Sequence, residues 1–299
     1  MKPSAGLLGH AESALRELLR FAAAADQVLS RYFRAHPELG QRDRAFIAES
    51  AFAVLRRRRS LEVLAGSTEP RALLVAALVR VLGFSGRALE GLVAPTLVER
   101  IRAARADGLP DAVRVDLPDW LWHELEGEHG RAEALAMAQG LLNAAPLDLR
   151  VNLARTSREE VLARLAHDGI EASATPYAPS GVRLAALGAR AARAQVSNIH
   201  SIALAGENDA RAKRLARKLE RVLVDAPCSG FGTLRRNPDL KWRHDRQAVA
   251  ELAQKQGRIL AAALESSREK SVGPVPVRPQ AQPLAGGEGD ALAREELRA

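Results

Sequence analysis

The sequence predicts an α domain followed by an α/β domain, the second of them incomplete. Three observations carry this. Up to about residue 145 apolar residues recur at helical spacing, after Pro146 they alternate with polar ones, and from about Ser266 the periodicity stops in a run rich in Pro and Gly. At 299 residues the chain has room for two domains.

Within the first part, Ile47, Ala51, Val54 and Leu55 share one helix face. Leu73, Leu74, Ala77, Leu78, Val81 and Leu82 repeat that spacing behind the start signal Thr68 and Pro70. Further helices are expected over 7–24, 95–106 and 119–143, separated by Pro37, Gly66, Gly83, Gly108-Leu109-Pro110 and Pro118. The exposed faces of this bundle carry Arg42, Arg44 and the run Arg56–Arg59, which reads either as a solvated face or as an RNA-contacting one.

The period changes after Pro146. Leu147, Leu149, Val151 and Leu153 alternate with polar residues, as in a half-buried strand. Thr156-Ser157-Arg158-Glu159 has capping-box spacing and opens a helix with Val161, Leu162 and Leu165 inward; Gly169 ends it, and Ile170 turns back toward another strand. Residues 183–220 are mainly helical by pattern, with Val196–Ala205 a possible strand. A buried strand at Val222–Val224 and a helix carrying Val249, Leu252, Ile259 and Leu260 follow. The expected division is 1–145 helical, 146–182 a small α/β subdomain, 183–265 a partial α/β core and 266–299 a disordered tail.

The formal charge of +8 favours an anionic partner, through release of counterions from a polyanion. A single cysteine excludes internal disulfides and multi-cysteine metal sites and suits a reducing cytoplasm. The first residues lack the apolar core of a signal peptide, and no apolar run reaches the ~18 residues of a membrane span, so no membrane partner is expected. His123 and His129 are six apart, too far round a helix to share a metal; the other histidines are scattered, and no metal site is expected.

The most informative segment runs from Arg221 to Trp242. A short apolar run ends in Asp225, breaks at Pro227 and presents the one cysteine, Cys228. Arg235, Arg236, Lys241 and Trp242 follow at once. An acid and a thiol at the end of a strand, rimmed by positive charge, suit chemistry on a nucleic-acid base.

Asp225-Ala226-Pro227-Cys228-Ser229-Gly230, with Leu234-Arg235-Arg236-Asn237-Pro238-Asp239-Leu240-Lys241-Trp242, closely resembles the Sun/RsmB/NOP family of S-adenosylmethionine-dependent RNA cytosine-C5 methyltransferases. The likeness extends upstream. Leu39-Gly40-Gln41-Arg42-Asp43-Arg44, Glu49 and Leu55-Arg56 match the NusB-like RNA-binding domain of the bacterial rRNA enzymes; Pro118-Asp119-Trp120-Leu121 and Leu149-Arg150-Val151-Asn152 match the linker and the first subdomain strand. The resemblance implies a NusB-like bundle, a Rossmann-like catalytic domain, S-adenosylmethionine as cofactor and ribosomal RNA, the 16S molecule, as partner in the cytoplasm. It gives Asp225 a place beside the cofactor and near cytosine N3, Cys228 a part in releasing product, and Arg235, Arg236, Lys241 and Trp242 to the RNA. In this chemistry a thiolate adds to C6 and turns the ring into an enamine-like species able to attack through C5.

Two departures stand out. The attacking thiol of the family lies in a later Thr-Cys-Ser motif, and this chain has no second cysteine. The family's Cys-Ala-Gly-x-Gly-Gly-Lys cofactor turn has no counterpart before Asp225. Arg183–Leu187 instead reads as the helix that follows the cofactor-binding strands, which implies an internal deletion joined near 180–184 and a replaced C-terminus after about 265. Three functional readings follow: a methyltransferase with Cys228 recruited as nucleophile, an inactive RNA-binding remnant, or a NusB-like interaction module.

Overall fold

A computed structural model describes residues 3–105, 108–184 and 224–266, together with Arg214, Arg217, Lys218 and Val222. The expected helical pattern over 185–220, including Val196–Ala205, and the expected disordered tail lie outside the described residues, apart from those isolated positions and Ser266. The described residues fall into two compact units. One holds the chain up to 184 together with Arg235–Arg243, and the other holds 224–234 and 244–266.

The first unit begins as a helical bundle: α1 (Ala5–Leu18), α2 (Ala25–Ala35), α3 (Gln41–Arg56), α4 (Arg58–Ala65), α5 (Pro70–Arg80), α6 (Pro95–Ala103), the single turn α7 (Asp111–Arg114) and α8 (Asp119–Leu141). The expected helix over 7–24 ends early, and a separate helix begins just beyond it. α1 ends at Leu18, and Phe21 takes a left-handed φ of 53°, so Ala22–Ala24 leave the helix despite their propensity and α2 starts afresh. α5 was expected to bury one face, yet every residue from Ala72 to Leu78 is buried. It is the central helix, and its apolar residues run all round. Around it pack Leu8, Leu15, Ile47, Leu55, Leu61 and Ile101, all almost fully shielded. Gly130, at φ 75°, breaks α8 midway.

A three-stranded antiparallel sheet follows, in the order β1 (Leu147–Arg150), β3 (Gly181–Leu184), β2 (Ala172–Ala174), with α9 (Arg158–His167) between β1 and β2. Val151, Val182 and Leu184 form its core, and Val161, Leu162 and Leu165 of α9 pack on them, the face expected from their spacing. The capping box is one residue later than expected: Ser157 caps, and Glu160 closes the box. Thr156 Oγ1 donates to Glu160 Oε2 at 2.6 Å instead of capping.

β3 corrects one expectation. Arg183 and Leu184 do not begin a helix; they finish a strand whose Val182 and Leu184 are buried and whose Arg183 faces Asp148 across the ladder. The guanidinium holds that carboxylate by two bonds, 2.7 and 2.8 Å, and keeps its pKa below the usual range. Gly181 is tightly placed: a Cβ there would run into Thr175 Oγ1 and the Ala178 Cβ. Gly181→Ala is therefore expected to cost about 1–3 kcal/mol, read as faster amide exchange throughout the small sheet. Unchanged protection would refute this packing.

In the second unit the described residues are a loop, a short 3₁₀ turn (Phe231–Thr233) and α11 (Arg246–Ser266). No residue of α11 is buried, and Leu260 is 43% exposed. Val222 and Val224 carry no strand structure, contrary to the expected buried strand there; Leu223 lies outside the described residues. Without ladder partners at those positions, an apolar pair has only its propensity to favour a strand, and propensity alone is weak.

Candidate active site

Asp225 and Cys228 are both exposed, on a stretch without regular structure. The loop is tied down locally. Gly230 turns it with φ 73°, and both the amide and the hydroxyl of Thr233 donate to Gly230 O, at 2.8 and 2.7 Å. Gln256 Nε2 of α11 donates to Pro227 O at 2.8 Å, one residue before the thiol. Phe231 meets His244 edge to face, with ring centroids 5.8 Å apart.

At Arg235, two residues after Thr233, the chain enters the other unit, and the remaining site candidates are found there. α10 (Leu240–Arg243) is a single turn. Lys241 is only 2% exposed, and its ammonium donates to Arg56 O at 2.9 Å. Trp242 Nε1 donates to Leu55 O at 2.7 Å. Leu55 and Arg56 lie in the last turn of α3, where carbonyls have no partner within the helix, and a cation there also meets the negative end of the helix dipole. Asp239 does the opposite work. It is buried, and its Oδ2 accepts from Ala25 N at 3.2 Å, at the start of α2, whose own N-cap residue Ala24 offers no side-chain acceptor. One short segment thus presents its acid to a helix N-terminus and its cation to a helix C-terminus.

The same segment is fixed at its other end. Arg235 donates to the carbonyls of Asn143 and Ala144, and Arg236 to that of Pro146, in the passage from α8 to β1. Both arginines remain exposed, whereas Lys241 is buried and Trp242 half-buried against the end of α3 that they cap. The structure therefore places Arg235 and Arg236 at a surface and seats Lys241 away from it.

Sequence reasoning missed the buried acid whose charge acts on Lys241. Asp116 is fully shielded, with φ 55°, and accepts from Ser60 N and Ser60 Oγ at 2.9 and 2.8 Å, capping α4 from outside. Burial pushes its carboxyl pKa up, against the pull of Ser60, Lys241 and Arg57. Burial likewise pushes the Lys241 ammonium down to about 7, against the attraction of Asp116. The Arg56–Arg59 run is neither a simple solvated face nor a free RNA face. Arg56 donates to Arg235 O; Arg58 pairs with Glu62 and lies over the Phe21 and Trp242 rings; Arg59 binds Leu117 O and Asp119. An aspartate behind a proline, at Pro238-Asp239, was the one available hint of a capping role; its partner is 214 positions away.

The cofactor implied by the resemblance needs a strand end and a Gly-rich turn whose backbone N–H groups can approach it. Among the described residues the only strands are the three of the small sheet, and Asp225 stands exposed on a loop beside none of them in sequence. Among the described residues no such arrangement is found, and those residues do not fit S-adenosylmethionine.

Comparison with known proteins supplies the lineage. Residues 162–274 match the family described as "16S rRNA methyltransferase RsmB/F", and residues 117–189 match the "Methyltr_RsmF/B-like, ferredoxin-like domain". The "Probable ribosomal RNA small subunit methyltransferase B" of Synechocystis sp. is 24% identical over 357 residues, covering 83% of this chain and 80% of the relative. Because 83% of a 299-residue chain cannot fill 357 positions, many positions of that relative have no counterpart here. The "Ribosomal RNA small subunit methyltransferase B" of Citrobacter koseri is 51% identical over 45 residues, 15% of this chain and 10% of its own length. Among solved structures, "Crystal Structure of PH0851" superposes with a TM-score of 0.58 at 15% identity, covering 90% of this chain and 84% of that one, a likeness of fold.

Proposed function

Because this chain belongs to the RsmB/F family of 16S rRNA methyltransferases, we propose that it binds ribosomal RNA in the cytoplasm without transferring a methyl group. The family reaction is methylation of cytosine C5 with S-adenosylmethionine. On this reading residues 1–145 are the NusB-like RNA-binding bundle, 146–182 the small subdomain (carried on by β3 to Leu184) and 183–265 a shortened Rossmann-like core, with 266–299 a disordered tail. On this reading the join left by the missing cofactor segment, expected near 180–184, would follow β3, which ends at Leu184.

The observation that supports this most is the isolation of Asp225 and Cys228. They are the acid and the assisting thiol of the family pattern, exposed on an irregular loop in a chain with one cysteine. Arg235 and Arg236 are the phosphate contacts of this reading. Each guanidinium carries five N–H donors, so those given to the carbonyls near α8 leave others for RNA. Lys241 and Trp242 act instead as struts that hold those arginines in place.

The test is titration of a 16S rRNA fragment by fluorescence anisotropy at several salt concentrations, with tritiated S-adenosylmethionine present. Binding that weakens steeply with salt, by a log–log slope of ~0.7–0.9 per phosphate contact, and no tritium in the RNA are expected. Stoichiometric labelling would overturn the proposal. Salt-independent binding would favour the bundle as a protein-docking module.

A further inference from the structure

Two histidines far apart in the sequence come together at the surface of the bundle. His10 lies on α1, and His36 is the residue that ends α2, with Glu38 two positions beyond it. His36 Nδ1 is 2.9 Å from Glu38 Oε1, and His10 Nε2 is 3.9 Å from the same oxygen. One donor atom from each of the three lies within 4.8 Å of the others. The two imidazoles meet edge to face with centroids 4.9 Å apart.

We propose that His10, His36 and Glu38 form a binding site for a divalent transition cation of the zinc class, which staples α1 to the end of α2. A tetrahedral cation with bonds of ~2.0–2.1 Å holds its ligand atoms roughly 3.4 Å apart. The two distances to Glu38 fall on either side of that value and all three ligand atoms lie within 4.8 Å of one another, so side-chain rotations that move the ring nitrogens by about an ångström complete the arrangement. Two imidazole nitrogens and one carboxylate suit zinc, cobalt or nickel rather than magnesium or calcium, which prefer oxygen throughout.

The surroundings favour a site over a chance cluster. Nδ1 of His10 is 3.0 Å from the Tyr32 hydroxyl, which fixes the ring and leaves Nε2 for the cation, the usual outer support of a ligating histidine. Tyr32 is itself 5% exposed, so this support comes from the core. The ligand side chains remain accessible, at 27, 34 and 56% for His10, His36 and Glu38, so a cation arrives without unfolding and water fills the fourth position. The bound cation replaces the hydrogen bond between His36 and Glu38.

The experiment uses the full chain stripped with chelator. Co²⁺ is added while the visible d–d absorption is followed, Zn²⁺ is titrated by calorimetry, and the melting temperature is read with and without Zn²⁺. One equivalent, tetrahedral cobalt bands and a higher melting temperature are expected, alike in the native chain and in Cys228→Ser. His36→Ala and Glu38→Gln, both at accessible positions, are expected to weaken binding about tenfold or more while melting normally without metal. Undiminished binding in both variants, binding that vanishes in Cys228→Ser, or none at millimolar cation would each overturn the proposal.

Discussion

Lys241→Ala is expected to lower the stability of the helical unit by ~2–5 kcal/mol, the range for truncating a buried side chain and leaving a buried group without its hydrogen-bond partner. The substitution leaves Arg56 O without its donor, removes a positive charge that acts on Asp116 and opens a cavity at the end of α3. Lys241→Met keeps most of the volume and is expected to cost less. In Asp116→Asn the effect of Lys241→Ala is expected to shrink, since a neutral amide no longer needs the cation. Urea denaturation followed by far-ultraviolet circular dichroism measures all three. A Lys241→Ala midpoint equal to that of the native chain would refute the interior seat of this lysine.

The second large effect is a dependence on pH that runs opposite to a surface ion pair. The Lys241 ammonium titrates near 7 in the folded chain and near 10.5 when unfolded. Between those values the unfolded state binds more protons, so stability rises with pH across that window and is lost as pH falls through about 7. The full effect is on the order of 5 kcal/mol. The raised carboxyl of Asp116 acts with the other sign: its contribution is present below the ordinary carboxylate range and lost as pH rises through its folded value. Denaturation at intervals from pH 6.5 to 9.5 is expected to show increasing stability in the native chain and a flatter profile in Lys241→Met. Equal slopes in the two would contradict the assignment.

The residues near one another in sequence announced their structure well. The 3.6-residue period marked α3, α5 and α8, and alternation after Pro146 marked β1. Local signals failed where a tertiary contact decides the outcome. Phe21 turns the chain between α1 and α2 although Ala22–Ala24 favour a helix, and Arg183 and Leu184 join a strand because β1 and β2 flank them. Arg56–Arg59 looked like a charged face because nothing in that run shows that Asp119, Leu117 and the 235–243 segment will be its partners.

The candidate site divides in the same way. The motif around Asp225 and Cys228 was legible as lineage, since its residue types and spacing are local. The work of its second half was not. Asp239, Lys241 and Trp242 meet backbone groups of Ala25, Arg56 and Leu55 that lie 185 to 214 positions earlier. The spacing predicts a rim for RNA; in the fold its last residues cap two helices, with Arg235 and Arg236 exposed, Trp242 half-buried and Lys241 buried.

On the proposed reading, this member of the family keeps the RNA-binding frame and has lost methyl transfer. Calorimetric titration of the full chain with S-adenosylmethionine tests it most directly. No heat of binding up to millimolar cofactor is expected; saturable binding with a micromolar or tighter dissociation constant would contradict it.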